Sequence, residues 1–447
     1  MPCSMYARTI PAVGWLGARA EAGAAYDVPM SRQETTPFTI RNLVLTVYAP
    51  TIFMGVGQSA VLAFVVLQAR DLGASVGLAG VVFAMRGLGV MAFDVPAGLM
   101  LARLGQRWTM LLSIVLIGVL AAATAFSPNP LVLAASVFAL GGATSLWMLT
   151  RIAFVSEQAP VHQRGRALSL VGGSQRMGNF VGPVAGGFVA EFGGYSGAML
   201  LQTAGAAVAF VLIFLFVTES RGAVPGRRGS LQHSGLIETL SSQRRTFLTA
   251  GLAVLALQVL RQGRQVLLPL WGDELALTPS QIGLVIGLAS SVDMLLFYPV
   301  GMVMDRFGRK WSAVPSMLML AGSLALIPLT GSFPALLVVG LVSGFANGLG
   351  SGIGMTLGAD LAPPEARGEF LGVWRFVTDI GTSAGPFLVA GIASVATLGI
   401  ACVATGGVGL AGAAVMAFLA PETLRRARSA PVEPATDAAS ARSAGGG

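Results

Sequence analysis

Residues 301–310 read Gly-Met-Val-Met-Asp-Arg-Phe-Gly-Arg-Lys, and residues 98–107 read Gly-Leu-Met-Leu-Ala-Arg-Leu-Gly-Gln-Arg. Each stretch follows a long apolar run and places a glycine beside basic residues, as at a helix end that turns. The copies are 203 residues apart, the distance from Gly98 to Gly301. The same shift, without a gap, maps Pro96 onto Pro299, Glu157 onto Asp360 and Gly182 onto Gly385. The chain therefore consists of two duplicated halves, an organisation typical of transporters.

The composition indicates a protein that crosses the membrane many times. Of 447 residues, 54% are hydrophobic and 11% are charged, whereas soluble domains carry roughly 25% charged residues. Disordered proteins, disulfide scaffolds and nucleic-acid binders are excluded on this ground. The net charge of +8 reflects basic residues kept on one side of the bilayer. The two cysteines, one in a tail and one in an apolar run, predict neither a disulfide framework nor a metal site.

Apolar runs long enough to span a bilayer need about 20 residues. The sequence predicts twelve such helices in two six-helix sets: 42–68, 76–101, 108–127, 131–156, 164–190 and 196–218, then 246–270, 279–303, 311–330, 334–360, 366–392 and 396–420. The predicted fold class is an all-α polytopic membrane protein with two pseudo-symmetric six-helix bundles, 39–219 and 246–422. The remainder is a mobile N-terminal tail (1–38), a cytoplasmic linker (220–245) and a disordered C-terminal tail (423–447). Either Met1 or Met30 could be the true start.

The distribution of basic residues predicts the orientation. Sixteen Arg and Lys residues fall in the loops, linker and tail on one side of the predicted spans, and Arg70 alone falls on the other. Basic residues mark the cytoplasmic side. We therefore predict a multi-pass protein of the plasma (inner) membrane with both termini in the cytoplasm.

Two motifs carry a family resemblance over residues from about 40 to 424. The repeated loop resembles the loop motif of the major facilitator superfamily, although Ala102 replaces the family's Asp in the first copy. A glycine-rich stretch on the fifth predicted helix resembles a motif of that family's drug–proton antiporters: Gly178, Gly182, Pro183, Gly186 and Gly187. The arginine that the family carries within its fourth helix is not found, since Phe138 and Ala139 occupy that place.

The resemblance implies roles for both motifs. The loop charges would pair with the acid ending the fourth or tenth helix and latch one conformation; the residues concerned are Gly98, Arg103, Arg107 and Glu157, and Gly301, Asp305, Arg306, Arg309 and Asp360. Positive-inside topology and turn formation are the alternative explanation. Glycines four residues apart let helices approach closely, and a proline within a packed helix produces a bend.

Charges within the predicted spans are functional candidates, because ionisable groups are costly in hydrocarbon. Counted at about 1.5 Å per residue from the basic ends, Asp94 and Arg375 lie at matching depth, and so do Arg176 and Asp293. We predict that each pair joins the two halves. Proton carriage is predicted for Asp379, Asp293 or Asp94, with Arg375, Arg176 and Arg86 as charge partners; purely structural pairing remains the alternative.

By the same resemblance, the first, fourth, seventh and tenth helices line a central cavity. The polar residues on them are the predicted substrate contacts: Gln58, Trp147, Arg151, Gln258, Arg261, Gln262, Gln265 and Asn347. Polarity used only for helix packing is the alternative.

The sequence thus predicts a secondary transporter, not an enzyme, that works by alternating access without a cofactor. No GxxxxGK[ST] loop occurs, so an ion gradient, most simply of protons, would supply the energy. The favoured activity is proton-coupled efflux of hydrophobic or amphipathic compounds. An organic-anion transporter with an Arg-rich cavity, importing or exporting, is the alternative, and a transport-inactive receptor or scaffold is the third. The predicted partners are a small-molecule substrate and the lipid bilayer, without nucleic acid, and the protein is predicted to be monomeric.

Overall fold

The computed structural model describes residues 43–217, 241–364 and 366–424. Both predicted tails, apart from a few residues, and most of the predicted linker lie outside these ranges. Within them, eleven helices are long and apolar enough to cross a membrane. One of these, Val161–Phe216, has 56 residues and is broken at Gly194, whose φ of 65° is not helical. A helix of that length spans about 84 Å, more than two bilayer crossings, so it supplies two spans.

The twelve spans follow one another along the chain, and their bounds lie within four residues of the predicted ones. In chain order they are α1 (Val44–Asp71), α2 (Val76–Leu104), α3 (Gln106–Ala125), α4 (Pro130–Gln158), α5 (161–193), α6 (195–216), α7 (Arg244–Glu274), α8 (Pro279–Phe307), α9 (Lys310–Leu329), α10 (Phe333–Leu361), α11 (Arg367–Val395) and α12 (Leu398–Leu419). Helices α1–α6 form the first half and α7–α12 the second. The predicted all-helical, duplicated fold class is confirmed.

Helix ends follow the capping chemistry written in the sequence. The Ser75 and Thr278 hydroxyls, which are repeat mates, accept the backbone N–H groups of Leu78 and Gln281 at the starts of α2 and α8. At the other ends of these helices, Gly105 and Gly308 take φ values of 76° and 107°, which favour glycine. The two loop copies therefore form the same turn.

Each half is held together by glycines on its fifth helix. A Cβ on Gly178 would lie 2.5 Å from the Gly55 carbonyl carbon of α1, and one on Gly182 would collide with the Val56 carbonyl oxygen. The mates make the equivalent contacts with α7: a Cβ on Gly381 would lie 2.9 Å from Cβ of Gln258, the mate of Gly55, and one on Gly385 would lie 2.6 Å from the Val259 carbonyl oxygen. Because Val56 and Val259 are also repeat mates, the duplication is reproduced contact by contact.

The halves meet along two pseudo-symmetric interfaces, α2 with α11 and α5 with α8. We call the end of the bundle with Arg103, Arg306 and Arg367 the Arg-rich end. At the opposite end, a Cβ on Gly187 of α5 would lie 2.5 Å from the Pro279 carbonyl oxygen at the start of α8. Towards the Arg-rich end, by contrast, no described atom comes within 4 Å of a Cβ on Gly172 or Gly372. The interface is therefore closed at the opposite end and open towards the Arg-rich end.

One span contains a break that hydropathy did not indicate. Helix α10 is interrupted between Leu349 and Ile353, where Gly352 has a φ of 81°. The backbone carbonyl of Gly350 accepts a hydrogen bond of 2.6 Å from Nη2 of Arg261 on α7, in addition to a longer one of 3.4 Å from the backbone N–H of Ile353. A cation at this position also complements the negative end of the helix dipole. Arg261 therefore stabilises the backbone at the break.

Replacing Gly187 with alanine is expected to weaken closure of the opposite end, because the new Cβ would push against Pro279. The measurement is labelling of Gln265→Cys, a cavity position, by an impermeant thiol reagent added from that side, in a variant without native cysteines. We expect several-fold faster labelling. Gly172→Ala is the control on the same helix, since its Cβ meets nothing. Equal labelling in the two variants would contradict the closed contact.

Candidate functional site

A cavity of about 260 Å³ lies between the two halves. Its walls come from α1, α4 and α5 of the first half and from α7, α8 and α10 of the second. The wall mixes apolar and polar side chains. The apolar residues include Leu62, Met148, Leu268 and Ile286, and the polar ones are Gln58, Ser59, Arg151, Gln175, Asn179, Arg264, Gln265, Ser290, Asp293 and Asn347. Such a wall suits a ligand with an apolar body and a polar group.

Four of the eight predicted cavity residues line this wall: Gln58, Arg151, Gln265 and Asn347. The other four were expected there, but the structure places them elsewhere. Gln258 donates to Thr382 of α11 at 3.3 Å, and Gln262 lies beside Gly385 of the same helix. Arg261 reaches the α10 break, and the buried Trp147 lies beside Arg151. Helical spacing predicted a shared stripe on α7, but neighbouring helices cover most of it.

Helix α5 contributes polar residues to the cavity that were not among the predicted contacts. Gln175 and Asn179 are four residues apart and lie on the face that continues to Pro183, and all three line the cavity. The Ser59 hydroxyl donates to Asn179 Oδ1 at 2.9 Å, which joins α1 to α5. The spacing of four was the available signal.

Two arginines in the cavity wall are buried. Arg151 is 5% exposed, and its Nη1 donates to Gln175 Oε1 at 3.2 Å and Thr51 Oγ1 at 3.4 Å. Arg264 is 8% exposed and donates to Ser343 Oγ at 3.3 Å. All three acceptors are neutral. Among the described residues, neither arginine belongs to an ion pair.

Arg176 of α5 and Asp293 of α8 lie together across the halves, as the depth argument expects. Arg176 Nη1 is 3.2 Å from Asp293 Oδ2, and its guanidinium carbon lies 4.3 Å from the centre of the Phe297 ring. Ser351, at the α10 break, donates to the second carboxylate oxygen at 3.2 Å. One acid and one base balance here, so this contact carries no net charge.

The second interhalf contact has a different composition. Arg375 Nη2 lies 3.6 Å from Asp94 Oδ2 across the halves, and Arg375 Nε lies 3.7 Å from Asp379 Oδ2 on its own helix. Ser145 of α4 donates to the other oxygen of Asp94. One base is therefore shared by two acids, and we call Asp94, Arg375 and Asp379 the acid triad. Arg86, the third predicted partner, is partly buried, and the described residues give it neither an ion pair nor a hydrogen bond.

The loop motif of the second half forms a charged cluster. Arg309 lies 2.9 Å from Asp360 at the end of α10 and 3.5 Å from Asp305. Asp360 also accepts from the Thr423 hydroxyl at 2.7 Å. Arg306 instead places its guanidinium over the Phe307 ring. Three of the charges that the resemblance assigns to this latch, Asp305, Arg309 and Asp360, are in contact, and the latching role remains a prediction.

The first-half copy is weaker. Glu157 accepts a hydrogen bond from Gln106, and Arg107 donates to the Phe214 carbonyl at 3.3 Å. Ala102 stands where Asp305 stands in the second copy, so no acid at this position can pair with Arg107. Gly98 and Gly301 leave room around their backbones: a Cβ on Gly98 would meet only Leu149, at 3.9 Å, and one on Gly301 would meet no described atom within 4 Å. The two latch copies are therefore built differently.

A polar cap completes the second-half cluster. The Glu422 carboxylate accepts the backbone N–H groups of Arg309 and Lys310 at 2.9 and 3.0 Å, at the start of α9. Burial raises the pKa of Glu422, but hydrogen bonds from the backbone N–H groups of Arg309, Lys310, Leu424 and Thr423 outweigh it. The pKa therefore lies below its ordinary value of 4.5.

A cavity between duplicated six-helix bundles, with charge contacts across the halves, defines a membrane transporter of the alternating-access type. The sequence model described as Major Facilitator Superfamily matches residues 49–262 and 250–443. The chain belongs to this superfamily, as the motifs indicated.

The chain is similar in sequence to two multidrug resistance proteins. Multidrug resistance protein MdtG of Salmonella choleraesuis (strain SC-B67) is 27% identical over 204 residues, 45% of this chain and 48% of the relative. MdtG of Salmonella paratyphi A is 27% identical over 182 residues, 40% and 44% of the two chains. The matched stretch thus spans about half the length of these relatives.

Solved structures agree in fold. A POT family transporter in complex with a thioalcohol-conjugated peptide superposes with a TM-score of 0.69 at 15% identity, over 84% of this chain and 95% of the other. A D-xylose–proton symporter has a TM-score of 0.67 at 16% identity, over 86% and 98%. At this identity the likeness establishes the fold alone.

Glu422→Gln is expected to lower thermal stability at pH 7 by up to about 1 kcal/mol, because a neutral amide caps α9 less well and solvent screens part of the effect. A carboxyl group whose pKa is lower in the folded than in the unfolded protein stabilises the fold at pH values above its unfolded pKa. This stabilisation is lost as the pH falls through the folded pKa. The difference in melting temperature should therefore shrink as the pH falls below 4.5 and through the folded pKa. Glu191→Gln, which removes an exposed acid, should change little at either pH. A difference that persists unchanged in acid would contradict the cap.

Proposed function

We propose that this transporter exports hydrophobic or amphipathic compounds from the cytoplasm in exchange for protons. The observation that carries the proposal is the mixed wall of the central cavity, where apolar side chains such as Met148 and Ile286 face polar ones such as Gln58 and Gln265. The name of the distant relative MdtG, a multidrug resistance protein, supports the same substrate class. A groove of about 660 Å³ at the α2–α11 interface, lined by apolar residues such as Leu88 and Phe387, would suit such compounds.

The acid triad is the proposed proton site. With both acids ionised, Asp94, Arg375 and Asp379 carry one net negative charge within the membrane, and one bound proton makes them neutral. Arg375 is now divided between Asp94 at 3.6 Å and Asp379 at 3.7 Å. A proton on Asp379 would leave Arg375 to Asp94 alone and strengthen the contact between the halves. Protonation and conformation are thereby linked, because the two states of Asp379 bind Arg375 differently.

Asp293 is the weaker proton candidate for a structural reason. Its two carboxylate oxygens are taken by Arg176 and Ser351. Protonation would leave a cation uncompensated in a part-buried site, which is costly. We therefore assign Asp293 to holding α5 against α8.

The proposed setting is the plasma membrane, with both termini and the Arg-rich end in the cytoplasm, and a monomer as the working unit. The open side of the interface would then face the cytoplasm, from which an exporter takes its substrate. The charged loop cluster around Arg309 would stabilise this conformation.

The test is Asp379→Asn, which mimics the protonated side chain. In proteoliposomes, a pH gradient should drive accumulation of a hydrophobic fluorescent substrate by the wild-type protein. The variant should keep substrate exchange without a gradient but lose gradient-driven accumulation and its pH dependence, because it can neither bind nor release the proton. Both activities are measured on the same vesicles.

The control is Asp71→Asn, which removes an exposed acid at the opposite end. It should accumulate substrate like the wild type. Unchanged pH-driven accumulation by a folded Asp379→Asn protein would exclude Asp379 as the proton carrier. Failure of the wild-type protein to accumulate any compound from an amphipathic panel would count against the proposed export.

A further inference from the structure

The central cavity contains two buried cations that form no ion pair with any described carboxylate. Arg151 comes from α4 of the first half and Arg264 from α7 of the second, and both line the same cavity. Their exposed fractions are 5% and 8%. Within the described ranges, no carboxylate forms an ion pair with either one.

The neighbours of these arginines orient them without neutralising them. Arg151 donates to Thr51 and Gln175, and its Nε has no acceptor among the described residues although it is fully buried. Arg264 donates to Ser343. Uncompensated buried charge is unfavourable, because neutral groups replace only part of the lost hydration. An anion that enters such a site lowers the electrostatic cost of the buried charges.

No acid of the cavity is free to supply that compensation. Among the described residues, Asp293 is the one carboxylate in the wall, and it is already engaged by Arg176 and Ser351. Taken with its partner Arg176, it contributes no net charge. The wall therefore keeps the two positive charges of Arg151 and Arg264.

We propose that the transported compound is an amphipathic anion whose carboxylate, sulfonate or phosphate group binds between Arg151 and Arg264. This rests on the proposed function and narrows its substrate class. A guanidinium matches such oxyanions with paired N–H groups, which an ammonium does not. The apolar body of the ligand lies against Leu62, Met148 and Leu268. Since the cations belong to opposite halves, the bound anion connects the halves at the cavity.

The probes are three compounds with one skeleton: 2-naphthalenesulfonate, the neutral 2-naphthalenemethanol and the cation trimethyl(2-naphthyl)ammonium. Binding to the purified protein is followed by ligand-induced shifts in melting temperature, since a ligand stabilises the state that it binds. We expect the sulfonate to bind at least about tenfold more tightly than the alcohol, because hydrogen bonds to charged groups contribute that much. The ammonium compound should bind least.

The variants are Arg151→Gln and Arg264→Gln, each with a lysine counterpart that keeps the charge. Each glutamine variant should lose at least about tenfold in sulfonate affinity and keep its affinity for the alcohol, which also shows that the cavity is folded. The sulfonate affinity of the lysine variants should lie between that of the wild type and that of the glutamine variants. Arg245→Gln, which removes an exposed arginine at the start of α7, is the control and should bind like the wild type.

The outcomes separate this inference from the proposed function. Equal binding of sulfonate and alcohol, or unchanged sulfonate binding in both glutamine variants, would overturn the anion site. The anion site would also be overturned if a pH gradient drove accumulation of the neutral or cationic compound but not of the sulfonate. That result would leave proton-coupled export intact. Tight sulfonate binding that needs both arginines, without any effect of the pH gradient on uptake, would support the anion site and count against proton coupling.

Discussion

The close approach of α5 to α1, repeated by α11 and α7, is the constraint on which the rest of the structure depends. Gly178 and Gly182 bring the backbone of α5 against α1, and a side chain at either position would collide with it. Lipid tails are as apolar as the helices, so association relies on such close contacts. With one face of α5 fixed in this way, its other face, at Pro183 and Gly187, is left to meet α8. One helix thus holds its half together and forms the surface on which the halves move.

The duplication supplies two equivalent interfaces, but their charges have diverged. The repeat mate of Asp94 is Phe297, so an acid that binds Arg375 in one interface corresponds to a ring that covers Arg176 in the other. The α5–α8 interface is electrically balanced, whereas the α2–α11 interface holds one base between two acids. A proton therefore has a larger effect on one side of the molecule than on its pseudo-symmetric counterpart. In the mechanism that we propose, this difference gives the molecule one proton site.

Much of this could be read from the sequence, and the failures have physical reasons. The repeat, the spans and the contact of Arg176 with Asp293 follow from spacing, since a helix converts residue number into depth. Which way a side chain faces depends on the neighbouring helices, and for this reason Gln258 and Gln262 turned towards α11 while Gln265 reached the cavity. The break at Gly352 was missed because hydropathy does not register a lost backbone hydrogen bond. The glycines at this break are present in the sequence, but glycines also occur where two helices pack closely, so they did not indicate a break.

In the mechanism that we propose, proton and substrate occupy separate places, and their coupling has to pass through the motion of the halves. The acid triad is negative and lies at the α2–α11 interface, whereas the cavity wall is positive at Arg151 and Arg264. An anion in the cavity and a proton on the triad each remove a net charge from the membrane interior, so each lowers the electrostatic cost of the state that binds it. Both also act on contacts between the halves: the proton by releasing Arg375 to Asp94, the anion by joining two arginines from opposite halves. Two ligands that bias the same rigid-body equilibrium are coupled thermodynamically, even without touching each other.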